Sequence, residues 1–134
     1  KEFSDNRPLF NLNSILENAE KRVMFVEGEK ACLSAQKLFP DMVVSCWPGG
    51  ANAYKRTDWK PLKSREIILW PDNDKPGKQA MEGIKTLIEP YCSAVHCLSV
   101  SDNSDYSHIT GQTVSDYSGK WDEYNLKGET KEVK

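Results

Sequence analysis

The chain has 134 residues, of which 38% are hydrophobic and 28% are charged. This balance is typical of one globular domain and excludes a fully disordered chain. Its 18 basic and 20 acidic residues give a formal net charge of −2, which excludes a globally basic coat for nucleic acid but not a local basic patch.

Four short stretches have the length and apolar character of buried strands. They lie at residues 23–26, 43–47, 67–70 and 94–100. The longest uninterrupted apolar runs are four residues long. Such runs are too short to cross a bilayer, so we expect no membrane partner.

Helical patterns lie before and between these stretches. Asn13 or Ser14 is predicted to cap a short helix that runs to about Lys21. A second helix is predicted over residues 29–39. A third follows a turn at residues 71–77, and its apolar face is formed by Ala80, Ile84, Leu87 and Ile88.

Strands and helices alternate along residues 23–100, which predicts an α/β domain with four mostly parallel strands flanked by helices. We assign residues 1–22 to an N-terminal arm with a short helix, and residues 101–134 to a polar C-terminal extension. Because the chain begins at Lys1 without a methionine or a signal-peptide pattern, we expect a piece of a longer protein.

Four cysteines, at positions 32, 46, 92 and 97, form no C-x-x-C pair, so neither a zinc ribbon nor a thioredoxin-like site is indicated. A free cysteine in an apolar stretch behaves as a small buried hydrophobe, and we expect four reduced cysteines in the core. A metal cluster of Cys92, His96 and Cys97 is disfavoured because neighbouring residues of a strand point to opposite faces.

Three acidic residues follow predicted strands, at the edge where parallel α/β sheets bind ligands. Glu27 follows the first strand, and Asp72 and Asp74 follow the third. In an extended chain, residues two apart face the same side, so both aspartates can converge. Glu27 joins them if the first and third strands are neighbours. Because clustered carboxylates repel one another without a cation, the pattern indicates Mg²⁺ or Mn²⁺ and chemistry on phosphate esters.

Each of these acids also has a structural interpretation. Asp74 could cap the helix that begins near Lys75, Asp72 could be a turn residue, and Glu27 could belong to the first turn of the following helix. The Gly49-Gly50 pair could let backbone amides approach a phosphate or could form a plain turn.

Residues 51–65 are mixed in character and can hold a short helix. Between residues 55 and 65, five basic residues face one aspartate, which could contact a nucleic-acid backbone or form a solvated loop. Within this stretch, Trp59 could stack on a base or cover the core.

Four motifs occur in order: V-E-G-E-K at residues 26–30, P-G-G-A at 48–51, D-W-x-P-L at 58–62 and I-x-W-P-D-x-D-x-P-G at 68–77. Together they resemble the Toprim domain of bacterial and phage primases and of topoisomerases. The likeness is greatest to the Toprim-like segment of phage and prophage DNA primase–helicase proteins. The resemblance covers roughly residues 7–100, because residues 7–10 are similar to the leading segment of such proteins.

The resemblance implies a compact Rossmann-like Toprim fold that makes primers by nucleotidyl transfer during DNA replication. It implies that Asp72 and Asp74 bind Mg²⁺ (or Mn²⁺), and that Glu27 is the general acid/base or a further metal ligand. Contacts to nucleotide or DNA are expected at Lys30, Gly49, Gly50, Lys75 and Lys78.

The partners that the resemblance implies are a single-stranded DNA template, nucleoside triphosphates, and the helicase and zinc-binding regions of the parent protein. The expected location is the cytoplasm of a bacterial host or phage-infected cell. Two alternatives remain at this point: a Toprim-type metal-dependent nuclease, and a non-catalytic nucleotide- or DNA-binding module of a replication helicase.

Overall fold

A four-stranded sheet organises the chain. The computed structural model describes residues 7–71 and 75–97. The strands are β1 (Val23–Phe25), β2 (Val43–Ser45), β3 (Glu66–Leu69) and β4 (Ala94–Cys97). They lie in the order β2-β1-β3-β4, and every pairing is parallel. The predicted α/β class, with parallel strands flanked by helices, is confirmed.

Helices precede and connect these strands. They are α1 (Leu12–Glu17), α2 (Glu29–Leu38) and α3 (Lys75–Ile88), and two 3-10 helices lie at Ala51–Arg56 and Lys60–Leu62. The short helix predicted within residues 51–65 is therefore present as two 3-10 segments. Because parallel strands need crossover connections, each of the three links between successive strands carries helical structure.

The predicted start and end of α1 are wrong. The helix ends at Glu17 rather than near Lys21, and its N-cap is Asn11 rather than Asn13 or Ser14. Asn11 has a left-handed backbone with φ of 61°. Its side chain makes no cap hydrogen bond, because Nδ2 instead donates to the Val44 carbonyl at 3.0 Å. A tertiary contact to β2 thus replaces the local cap.

Apolar residues cover both faces of the sheet, which explains the continuous apolar runs of the strands. One face carries Met24, Val44 and Ile68, and it packs with the buried side of α2. The other carries Phe25 and Ile67, and it packs with α3. Successive residues of β1 alternate between these two clusters, as do residues 67–69 of β3, as the period of a strand requires.

Helix α3 buries less of its predicted apolar face than the spacing indicated. Ala80, Ile84 and Ile88 are buried, but Leu87 is 46% exposed. The burial of Leu87 that the helical spacing predicted is therefore wrong. Its position corresponds to the boundary of the buried stripe, where a leucine extends over the surface beside Tyr91.

Residues 7–22, assigned above to the arm, pack on the same core as the strands. Leu9 and Ile15 are both buried. Arg7 forms a parallel bridge with Thr57, in which the Arg7 amide donates to the Arg56 carbonyl at 2.8 Å. The predicted C-terminal extension, residues 101–134, lies outside the described residues.

The cysteines of the described chain are free thiols. Cys32 and Cys46 are buried, while Cys92 and Cys97 are half-buried. The pKa of the Cys32 thiol is raised, mainly by a hydrogen bond with Cys46 and to a smaller extent by burial. His96 lies 3.1 Å from the Glu66 carboxylate through Nε2.

Within the part of the chain that the structure covers, no helix has the length and apolar character needed to cross a bilayer.

Gly83 of α3 lies against the Tyr54 side chain of the first 3-10 helix. A Cβ atom built on Gly83 would overlap the hydroxyl and ring of Tyr54. We expect Gly83→Ala to lower the free energy of unfolding by about 1–3 kcal/mol, because overpacking outweighs the gain of roughly 1 kcal/mol in helix propensity. Chemical denaturation measures this change. The double variant Gly83→Ala/Tyr54→Ala should lose less than the two single changes added together, and simple additivity would contradict the contact.

Candidate functional site

A cleft of about 440 Å³ opens at the carboxyl ends of β1 and β2. Its walls include Phe10, Glu27, Trp47, Gly49 and Gly50. The cleft lies at the sheet edge predicted for ligand binding, and it brings together one predicted acid and both predicted glycines.

The local structure places Glu27 at the end of β1. The Val26 amide still donates to the Ser45 carbonyl at 3.1 Å, and Val26 is fully buried. Glu27 is the first residue beyond this ladder, and its side chain is half-buried in the cleft wall. Helix α2 begins only at Glu29, with Gly28 as its N-cap. Glu27 therefore does not belong to the first turn of α2, and that structural interpretation is wrong.

Strands β1 and β3 are neighbours, which the sequence left open. Phe25 pairs with Leu69, and the Trp70 amide extends the ladder by donating to the Phe25 carbonyl at 3.0 Å. Glu27 and Pro71 each lie two residues beyond this pair. Asp72 and Asp74 lie outside the described residues, between Pro71 and the start of α3 at Lys75.

The Gly49-Gly50 turn also forms part of the cleft wall. The φ angles of Gly49 and Gly50 are 93° and 90°, a region that residues with a Cβ rarely adopt. A Cβ on Gly49 would lie 2.8 Å from Arg7 Nη1 and 2.8 Å from the Ala53 side chain. Trp47 Nε1 donates to the Gly50 carbonyl at 2.9 Å and holds the turn. The turn is thus packed closely on one side and open to the cleft on the other.

Arg7 lies next to the cleft, although the sequence did not predict it as a site residue. Its guanidinium lies beside Gly49, although the two residues are 42 positions apart in the chain. The bridge between Arg7 and Thr57 and the hydrogen bond from the Phe10 amide to the Cys46 carbonyl at 3.1 Å bring the N-terminal segment to this turn. The resemblance of residues 7–10 to the leading segment of Toprim-like proteins was the single signal that pointed to this region.

The three predicted lysines are not part of the cleft wall. Lys30 is exposed in the first turn of α2. Lys75 and Lys78 line a separate groove of about 430 Å³ along α3, together with Gln79 and Glu82. The cleft therefore groups Glu27, Gly49 and Gly50, and Lys30, Lys75 and Lys78 are not among its lining residues.

The described cleft carries carboxylates but no complete metal site. Glu27 and Glu29 both contribute to its lining, and carboxylate oxygens are the ligands that Mg²⁺ prefers. Among residues 7–71 and 75–97, no group of three histidine, cysteine, aspartate or glutamate residues could hold a metal ion. A third protein ligand for a metal bound at Glu27 and Glu29 would therefore have to come from outside these residues.

Two residues of the basic stretch, Trp59 and Arg65, are buried. Trp59 is 4% exposed, and its ring packs edge-on against Phe25 with centroids 5.3 Å apart. Of the two interpretations of Trp59, the structure therefore confirms that it covers the core. Arg65 is 9% exposed and does not belong to the basic surface.

Comparisons with protein-family models, with curated proteins and with solved structures find no match to this chain.

Proposed function

We propose that this chain is a Toprim-like nucleotidyltransferase domain that makes primers on single-stranded DNA during replication, as part of a primase or primase–helicase. The observation that carries the proposal is the adjacency of β1 and β3. It sets Glu27 at the same sheet edge as Pro71, from which the chain continues to Asp72 and Asp74. The cytoplasm of a bacterial or phage-infected cell is the corresponding location.

The residues of the cleft suit attack by a hydroxyl on a nucleoside triphosphate. Glu27 would take the proton of the 3′ hydroxyl as that oxygen bonds to the α-phosphorus and the bond to pyrophosphate breaks. The Gly49-Gly50 turn leaves backbone open to the cleft, which allows phosphates to approach closely. Mg²⁺ held by Glu27, Asp72 and Asp74 would neutralise negative charge on the triphosphate.

Metal binding tests the proposed ligands without requiring activity. The double variant Asp72→Asn/Asp74→Asn should bind Mn²⁺ at least about tenfold more weakly, because it lacks two charged oxygen ligands. Electron paramagnetic resonance of free Mn²⁺ measures the affinity. Asp41→Asn is the matched control, since Asp41 is exposed and lies between α2 and β2. Equal Mn²⁺ affinity of the double variant and the control would contradict the site.

Primer synthesis tests the reaction itself. The full protein that contains this chain should incorporate labelled nucleotides on single-stranded DNA with Mg²⁺ and lose that activity with a chelator. The same assay distinguishes the alternatives. Shortening of the template identifies a nuclease, while binding of metal and nucleotide without either reaction identifies a non-catalytic module.

A further inference from the structure

A second groove lies away from the cleft, between the 3-10 helices and α3. Its volume is about 290 Å³. Lys55 and Lys60 lie on its rim, and Leu87 and Tyr91 form its apolar side. Leu87 is 46% exposed, one of three large hydrophobic side chains in the described chain with such exposure.

The surface around this groove is basic although the chain as a whole is acidic. Lys55, Arg56, Lys60 and Lys63 are all exposed, and the acidic residue among them is Asp58. The Asp58 carboxylate accepts a hydrogen bond from the Lys60 amide at 3.1 Å. Residues 55–63 thus carry a net charge of +3, whereas the full chain carries −2.

The groove is held in place by the core. Trp59 Nε1 donates to the Tyr54 carbonyl at 2.8 Å, and the Asp58 amide donates to the Arg7 carbonyl at 2.8 Å. Tyr91 is anchored through its backbone, because its amide donates to the Ile88 carbonyl and its carbonyl accepts from Ser64. A surface that is already ordered loses little entropy on binding.

The groove and the cleft lie at opposite ends of one 3-10 helix. That helix follows Gly50 in the cleft wall and carries Lys55 near its other end. At roughly 2 Å per residue, the two ends are about 10 Å apart. The groove and the cleft are therefore close to each other along the chain.

We propose that the groove of Lys55, Lys60, Leu87 and Tyr91 binds single-stranded nucleic acid. The two ammonium groups contact phosphates, and a base packs on the apolar side formed by Leu87 and Tyr91. Cationic rims beside an aromatic surface are the combination that single-strand binders use. The identification of the bound strand as a template rests on the proposed function. The proposal that this surface binds a single strand depends only on the groove.

The test uses the full chain and a fluorescein-labelled oligonucleotide of 12 thymidines, with affinity measured by fluorescence anisotropy at several salt concentrations. Lys55→Gln/Lys60→Gln should raise the dissociation constant about tenfold at low salt and reduce the slope of log affinity against log salt by about 1.4, which is 0.7 for each lost phosphate contact. The control Lys21→Gln/Lys37→Gln removes the same charge from two exposed lysines outside the groove. This control variant should keep the slope of log affinity against log salt that the parent chain shows.

A change of opposite sign separates this surface from general charge effects. Asp58→Asn removes the negative charge from the groove but keeps the oxygen that accepts from the Lys60 amide. It should tighten binding of the oligonucleotide a few-fold, whereas Asp41→Asn should change it less. Equal effects of the groove and control variants would overturn the proposal, as would equal affinity for a glutamate-rich peptide of the same charge.

The surface and the reaction can fail separately. If primers are made but the groove variant keeps the affinity and slope of the parent chain, the surface is wrong and the proposed function stands. If the groove variant loses affinity but no primers are made, the surface stands and the proposed function fails.

Discussion

Replacing Glu27 with glutamine is expected to reduce primer synthesis by about 100-fold or more, which is the usual contribution of a general acid or base. Glutamine keeps the shape of the side chain but cannot accept the proton of a 3′ hydroxyl. The position supports this role, because Glu27 is the first residue past the hydrogen-bonded end of a buried strand and lies in the wall of the cleft. Single-turnover incorporation with saturating Mg²⁺ measures the chemical step.

Glu29→Gln is the matched control for this experiment. Glu29 also lies in the cleft wall, but it begins α2 and has an exposed side chain. Its loss removes a favourable interaction with the helix dipole worth about 0.3–1 kcal/mol, and the rate should change only a few-fold. If Glu27→Gln makes primers at the rate of the control, Glu27 is not the general base. A large fall in its melting temperature would instead indicate a structural role.

Replacing Arg65 with methionine is expected to give the largest loss of stability among the polar side chains of the described chain. The guanidinium donates from Nη1 to the Ile15 carbonyl at 2.9 Å, and from Nη2 to the Asn18 and Lys21 carbonyls at 2.7 and 2.8 Å. These carbonyls lie within and just after α1. The Arg65 side chain therefore satisfies the end of that helix and joins it to the start of β3.

Burial lowers the pKa of the Arg65 guanidinium, while the charge of Glu20 raises it. Methionine fills much of the same volume but leaves the three carbonyls without this donor. Hydrogen bonds from a charged group contribute about 1.5–3 kcal/mol each, and partial compensation by water leaves an expected loss of about 3 kcal/mol. The corresponding fall in melting temperature is on the order of 10 °C.

Thermal and urea denaturation measure the effect of Arg65→Met. Arg56→Met provides the control. The Arg56 side chain is exposed, and the hydrogen bond from the Arg7 amide goes to the Arg56 backbone carbonyl, which the substitution keeps. Arg65→Lys should fall between the two, because one ammonium cannot match the planar fork of the guanidinium. Equal melting temperatures of Arg65→Met and Arg56→Met would contradict the assigned role. Oligonucleotide binding by folded Arg65→Met should be unchanged, because Arg65 is not part of the groove.

Local patterns were sufficient to identify the elements of this chain. The four strands coincide with apolar stretches, because strands covered on both faces have apolar side chains in both directions. Helix α2 buries Ala31, Ala35 and Leu38 at the predicted spacing. The position of Glu27 directly after β1 was also readable from the sequence, since a charged residue that follows a buried strand marks the edge of the sheet.

The order of the strands and the use of individual polar residues depended on tertiary structure. Nothing in the sequence places β1 beside β3, because the crossovers allow several strand orders, yet this adjacency brings Glu27 level with Pro71. Arg65 belongs to a basic stretch of the sequence that is typical of a charged surface. Its hydrogen-bond partners, however, are carbonyls 44 to 50 residues away in the chain. Trp59 lies over Phe25 for the same reason: its burial is set by residues distant in the chain, which a local pattern does not contain.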